Sequence, residues 1–226
     1  MAIDWTRKYR PQTFDEMALY PLLRKRLDFY AKTGDFSHLL MIGDTGVGKT
    51  TAARILGGED CIEHNCAKDG TKKDMFNIAK SITAKTLWGN KRRILIMDEF
   101  HEVPTGAQTI FNKTMEDDGE RNTFIFCVNS IKDVAPPIVS RCLTLRFDAG
   151  ILHPTTEKLL LHKHTGITKT EWITELKRVG ALVAKKDGKT ATQKQLNIVA
   201  DNDVYIVDAR RYLRELEEQI KMDELD

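Results

Sequence analysis

Four short apolar runs mark the first two thirds of the chain: Leu39 to Ile42, Ile94 to Met97, Phe124 to Val128 and Leu143 to Phe147. Each is bounded by glycine, charged or turn residues, and stretches with helical spacing lie between them. Runs this short and unbroken suit strands covered on both faces, and the flanking helices favour a parallel sheet over exposed hairpins. A weaker strand is expected from Cys61 to His64, after a helix that starts at Lys49. Beyond about residue 150 the pattern changes. Leu159 to Leu161, Trp172 to Val183, Gln193 to Ala200 and Val207 to Ile220 show helical spacing without strand-like runs, broken at GIT (166–168) and KDGKT (186–190). The pattern predicts an α/β domain over residues 1–150 and a small helical domain over 151–226.

The chain of 226 residues is long enough for a domain of typical size plus a smaller one. With 41% hydrophobic and 30% charged residues it has an ordinary soluble composition, and no apolar run approaches the length of a membrane span. The stretch MAIDWTRKYRPQ lacks the apolar core of a secretory signal and QIKMDELD matches no lipid or retention signal, so cytosolic residence is the expectation. A net charge of only +2 means that any nucleic-acid role rests on local clusters. Candidates are Arg7, Lys8 and Arg10; Lys72 and Lys73; Lys91, Arg92 and Arg93; Lys185 and Lys186; solvated surface is the plainer alternative for each. The four cysteines, Cys61, Cys66, Cys127 and Cys142, suit a reducing compartment better than a disulfide framework. Cys61, His64 and Cys66 are close enough to suggest zinc, but no second pair at ligand spacing completes the set.

The strongest chemical signal is Gly43-Asp44-Thr45-Gly46-Val47-Gly48-Lys49-Thr50, directly after the apolar run LLMI and directly before the helix-compatible TAARIL that opens with Thr51. This is the complete G-x-x-x-x-G-K-[ST] pattern in its proper strand–loop–helix setting. Glycines let backbone N–H groups converge on phosphates, and the helix N-terminus that follows adds a favourable field. Lys49 would neutralise the β- and γ-phosphates and Thr50 would hold Mg²⁺. The run Ile94-Leu95-Ile96-Met97 ends in Asp98 and Glu99, at the edge where open α/β sheets bind ligands. Asp98 suits Mg²⁺, which keeps its waters and accepts one or two carboxylates, and Glu99 could polarise an attacking water. Asn129, at the end of the run from Phe124, could orient the same water; alone it is a weak signal, since asparagine is common in turns.

Taken in order, these sites resemble the AAA+ ATPase subunits of sliding-clamp loaders, most closely the small subunit of phage-type loaders. KYRPQTFDEM is similar to that family's opening signature, which implies that Tyr9, Arg10 and Pro11 lie against adenine. Asp98, Glu99, Phe100 and His101 match its DExx box, with histidine in place of the more familiar last residue, and Asn129 matches its sensor-1 position. Ser140-Arg141-Cys142 matches the SRC motif, whose arginine reaches the ATP of a neighbouring subunit. The stretch from Asp208 to Glu217 resembles the sensor-2 helix of the lid, with Arg210 as its arginine. Arg141 could instead form an intrachain ion pair, and Arg210 or Arg211 could pair with Glu215 or Glu217 along the helix.

The resemblance implies an ATP- and Mg²⁺-dependent ATPase that works with other loader subunits in a pentameric ring, with a sliding clamp and with primer–template DNA, in the host cytoplasm if the source is a phage. The segment from Thr105 to Glu116 corresponds to a helix that faces DNA in the family, pointing to Gln108 with Thr105 or Thr109. Lys72, Lys73 and Lys80 could extend the phosphate track. The family's collar domain has no counterpart here, which leaves ring assembly open. Rival readings are a helicase-loader or replication-initiator ATPase, a non-hydrolysing structural subunit, and a small-molecule P-loop kinase.

Overall fold

In chain order the elements are α1 (Trp5–Lys8), α2 (Pro21–Thr33), β1 (Leu39–Ile42), α3 (Lys49–Gly57), β2 (Ile62–Asn65), α4 (Lys72–Thr83), β3 (Arg93–Asp98), α5 (Thr105–Gln108), α6 (Ile110–Asp117), β4 (Asn122–Val128), α7 (Pro136–Val139), β5 (Leu143–Arg146), β6 (Gly150–Leu152), β7 (Leu159–Leu161), α8 (Lys169–Lys186), α9 (Gln193–Leu196), α10 (Ile198–Asp201) and α11 (Ala209–Asp223). The structure is a computed structural model, and it describes residues 5–68, 70–83, 92–117, 121–152, 159–162, 165–201 and 207–223. Lys91 of the third basic cluster lies outside the described residues. The chain divides into two units, one of Phe29–Gly43 and Ala52–Arg146, the other of Met1–Asp28, Asp44–Thr51 and Phe147–Asp226.

The first unit carries a five-stranded sheet in the order β2-β3-β4-β1-β5. Every pairing is parallel. The register sets Met41 opposite Cys127 and Ile96 opposite Ile125. All of β1 and all of β4 are buried, as an unbroken apolar run requires when both sheet faces are covered. Phe100, Phe111, Phe124 and Phe126 are fully buried against one another, with the Phe124 and Phe126 rings stacked at 5.6 Å. Each such ring contributes about 2–3 kcal/mol by burial. Because β3, β4 and β1 are parallel neighbours, Asp98, Asn129 and Gly43 follow one another along the same carboxyl edge of the sheet.

The second unit is organised by α8 and α11. Trp172, Leu176, Val179 and Val183 form the buried stripe of α8, and Tyr212, Leu216 and Ile220 that of α11, both at helical spacing. Thr168 and Glu171 form a reciprocal capping box at the start of α8, and Thr192 and Gln195 do the same for α9. At Gly180 the two long helices meet so closely that a Cβ would lie 2.5 Å from the Tyr212 hydroxyl.

One element differs from the expectation. Leu159–Leu161 is not helical but forms β7, antiparallel to β6, with Gly150 opposite Leu161. Three consecutive leucines carry no period that separates helix from strand, and the available partner strand decides between them. Among the described residues no helix is long and apolar enough to cross a membrane.

Candidate nucleotide site

The second unit contains a cavity of about 250 Å³ lined by Tyr9, Arg10 and Pro11, by Gly46, Val47, Gly48 and Thr51, by Val179 and Val183 of α8, and by Arg210 of α11. Two of its glycines are dictated by geometry. Gly46 and Gly48 have φ of 92° and 99°, and a Cβ on them would lie 2.4 Å from Asp208 Oδ1 and 2.7 Å from Met17 Cε respectively. Lys49, buried at the start of α3, donates from Nζ to the Asp44 carbonyl at 2.9 Å. Asp44 and Thr45 are exposed and Thr50 is half-buried; these three and Lys49 do not line the cavity.

The N-terminal segment is held in this unit by carboxylates. Asp187, immediately past the end of α8, accepts from Lys8 Nζ at 2.7 Å, from the Tyr9 hydroxyl and from Trp5 Nε1 at 3.1 Å. The Lys8 ammonium, helped by the tyrosine and indole donors, pulls the Asp187 carboxyl down to about 2. Buried Glu217 of α11 accepts the Trp5 backbone N–H at 2.9 Å. Asp208 caps α11, its Oδ1 accepting from the backbone N–H groups of Arg210 and Arg211 at 3.0 and 3.1 Å. Arg210 is exposed in the first turn of that helix.

In the first unit, Asp98 closes β3 and Glu99 follows with φ 53° and ψ 38°, the left-handed conformation. Among the described residues it is the one non-glycine residue with positive φ. Such backbone costs about 1 kcal/mol or more and collects at functional positions. Glu99 Oε2 lies 3.5 Å from His101 Nε2, which is 3.0 Å from Asn129 Nδ2. The structure thus brings Glu99 and Asn129 together through His101.

Arg141 follows α7. Its guanidinium donates to the Pro137 carbonyl at 2.8 Å and pairs with Glu116 of α6. The Arg141 and Glu116 side chains are 32% and 53% exposed, so the pair lies at the surface. Burial pushes the adjacent Cys142 thiol up to about 12, which leaves it inert.

Gln108 requires a correction. It does not face outward as a DNA contact would: its side chain is wholly buried, donating to the carbonyls of Val103 at 2.9 Å and Asp133 at 2.8 Å and accepting from the Ala135 N–H at 2.7 Å. Every polar atom of the amide is spent on backbone inside the protein, so Gln108 does not present itself to DNA. Thr105 and Thr109 are exposed, as are Lys72, Lys73 and Lys80 of α4, with Phe76 59% exposed on the same helix. Among the described residues no group of three or more His, Cys, Asp or Glu side chains is arranged to hold a metal; Cys66 is buried and Cys61 partly so.

Three roles are missing from the sequence reading: Asp187 as the anchor of Lys8 and Tyr9, Asp208 as the cap of α11, and Glu116 as the partner of Arg141. Asp187 reads as part of a turn in KDGKT, and nothing in its spacing signals a partner 178 residues away. Asp208 had a usable signal, an acidic residue just before a strongly periodic helix.

Residues 39–148 match the family model described as AAA, the ATPase family associated with various cellular activities. This part of the chain is similar to that family in sequence and carries an AAA-type P-loop α/β fold. The fold is shared with two solved variants of Thermotoga maritima RuvB, with TM-scores of 0.64 and 0.67 at 20% and 19% identity, covering 94% and 92% of this chain and 64% of each of those. More particularly, the chain is similar to proteins named replication factor C small subunits. It is 32% identical to that of Natronomonas pharaonis over 63% of this chain and 46% of the relative. It is 37% identical to that of Methanoculleus marisnigri over 63% and 47%. A protein of Acanthamoeba polyphaga mimivirus named as a replication factor C small subunit is 29% identical over 65% and 48%. The chain thus spans about half the length of the curated relatives it matches.

Proposed function

We propose that this chain is an ATPase subunit of a sliding-clamp loader, which binds ATP, assembles beside like subunits, and uses hydrolysis to open a ring-shaped clamp and place it on primer–template DNA. The observation that carries this reading is the gathering of Tyr9, Arg10 and Pro11, the glycine loop and Arg210 around one cavity, in a chain whose relatives are named replication factor C small subunits.

In this reading the base lies against Tyr9 to Pro11, whose position Asp187 and Glu217 fix, and the N–H groups from Asp44 to Thr51 receive the phosphates. Lys49 exchanges the Asp44 carbonyl for phosphate oxygens. Thr50 in the unit of the cavity and Asp98 in the sheet unit each carry a hard oxygen donor of the kind Mg²⁺ accepts, and such an ion would neutralise charge on the phosphates. Glu99 takes the proton of the attacking water and Asn129 orients that water. Arg210 ties the position of the helical region to the nucleotide state.

Arg141 serves the ATP of a neighbouring subunit. Its exposed pair with Glu116 is worth at most about 1 kcal/mol. An arginine supplied in trans accelerates phosphoryl transfer by roughly 10³ to 10⁵, about 4–7 kcal/mol, so surrendering the pair costs little by comparison. Thr105, Thr109, Lys72, Lys73 and Lys80 supply exposed donors for DNA phosphates, giving recognition of duplex shape and an affinity that falls as salt rises.

The test is ATP hydrolysis with clamp and primed DNA. Glu99→Gln is expected to bind ATP and turn over poorly, and undiminished turnover removes Glu99 from the role. Arg141→Ala should abolish hydrolysis in mixed assemblies at the neighbour's site with ATP binding kept. A monomer that hydrolyses at full rate without neighbours, clamp or DNA refutes the reading.

A further inference from the structure

His101 has no role in the reading above, yet it stands at the centre of the polar cluster on the carboxyl edge of the sheet. Its Nε2 is 3.0 Å from Asn129 Nδ2, 3.5 Å from Glu99 Oε2 and 3.6 Å from Glu102 Oε1. An amide –NH₂ can only donate, so at 3.0 Å the imidazole nitrogen must accept. That requires the neutral ring with its proton on Nδ1. Nδ1 is buried and makes no hydrogen bond among the described residues. Leaving a buried donor unpaired costs about 1–3 kcal/mol. An apolar side chain of similar size would avoid that cost, so the placement of the ring is explained by what Nε2 does.

We propose that His101 is a positioning residue for hydrolysis: through one nitrogen it fixes the Asn129 amide and keeps the Glu99 carboxylate free of a competing donor. With the lone pair of Nε2 turned to Asn129, the amide is held with its –NH₂ toward the ring. In the same state Nε2 offers no proton to Glu99, which stays an uncompromised base. If the proton moved to Nε2, Asn129 would lose this acceptor and a Glu99 oxygen would be occupied by a hydrogen bond from the ring. One tautomer therefore serves both groups. The left-handed backbone at Glu99 turns the chain between the end of β3 and His101, and the imidazole makes that turn useful to both side chains.

This inference rests on Glu99 as the base, so Glu99→Gln is the reference in every assay. Steady-state hydrolysis by the assembled full chain, with clamp and primed DNA, is measured for His101→Gln, whose side-chain oxygen can still accept from Asn129, and for His101→Phe, which fills the space without an acceptor. His101→Phe is expected to lose roughly 10-fold or more in kcat with KM for ATP nearly unchanged, and His101→Gln to recover most of the loss. Wild-type kcat in His101→Phe, or His101→Gln no better than His101→Phe, overturns the proposal. If Glu99→Gln loses hydrolysis while both His101 variants are normal, the positioning role alone fails; if Glu99→Gln hydrolyses normally, the reading of Glu99 fails first. A second readout is independent of turnover. Imidazole ¹⁵N resonances of the full chain should show His101 neutral with its proton on Nδ1, and a proton on Nε2 overturns the proposal.

Discussion

The two units build polar sites by different means. At the carboxyl edge of the sheet, Asp98, Glu99 and Asn129 take their places from strands β3 and β4, whose hydrogen-bonded register is fixed by an almost wholly apolar interior. The cavity of the other unit is assembled from stretches far apart in the chain, and carboxylates hold them: Asp187 and Glu217 bind the N-terminal segment and Asp208 lies against Gly46. The first kind of site inherits its precision from backbone pairing. The second depends on a few charges and on the absence of a side chain at a glycine, and it is correspondingly easier to disturb.

Substitutions should expose this contrast. In the unit of the cavity the largest effect is expected from Gly46→Ala, which meets both a φ of 92° and the Asp208 carboxylate. Binding of a fluorescent ATP analogue should weaken by about 10-fold or more, with partial recovery when Asp208→Ala removes the obstructing atoms. In the sheet unit the counterpart is Gln108→Ala, which strands two carbonyls and an N–H inside the protein. Denaturant unfolding should show a loss of about 3 kcal/mol. If Gln108→Ala proves harmless, the sheet edge is less dependent on buried hydrogen bonds than the geometry implies.

Asp187→Asn sharpens the comparison through pH. The folded carboxyl titrates at about 2, below the value near 4 of an unfolded aspartate. Its contribution is therefore complete above pH 4 and disappears as pH falls through about 2. Thermal unfolding at neutral pH should show the variant less stable by about 1 kcal/mol, with the difference from wild type vanishing in strong acid. The smallest effect belongs to Glu116→Ala. The exposed pair with Arg141 should shift stability by no more than about 0.5 kcal/mol, and a larger loss would mean that Arg141 is not readily available to a neighbour.

The same contrast governs what could be read from the chain. Leu39 to Ile42 and Phe124 to Val128 are legible as strands because burial on both faces leaves an unbroken apolar run, and the glycine loop is legible because phosphate geometry admits few substitutes. Gln108 misleads. Set in TGAQT among small polar residues it looks like helix surface, and only the loop after β4 supplies the carbonyl and N–H that absorb its amide. Asp187 is illegible for a related reason, since its partners are chosen by the packing of α1 beside the end of α8 and by no local pattern. Leu159–Leu161 is too short a run to announce whether its hydrogen bonds are internal or to a neighbour.

The notch at Gly180 has a mechanical consequence. With Tyr212 and Leu216 seated where a side chain would otherwise be, α8 and α11 pack without slack at this point. Arg210 is carried near one end of α11, and Asp187, which moors Tyr9, sits just past the tip of α8. A bulkier residue at 180 would have to pry the two helices apart, and the shape of the cavity that Val179, Val183 and Arg210 line would go with them.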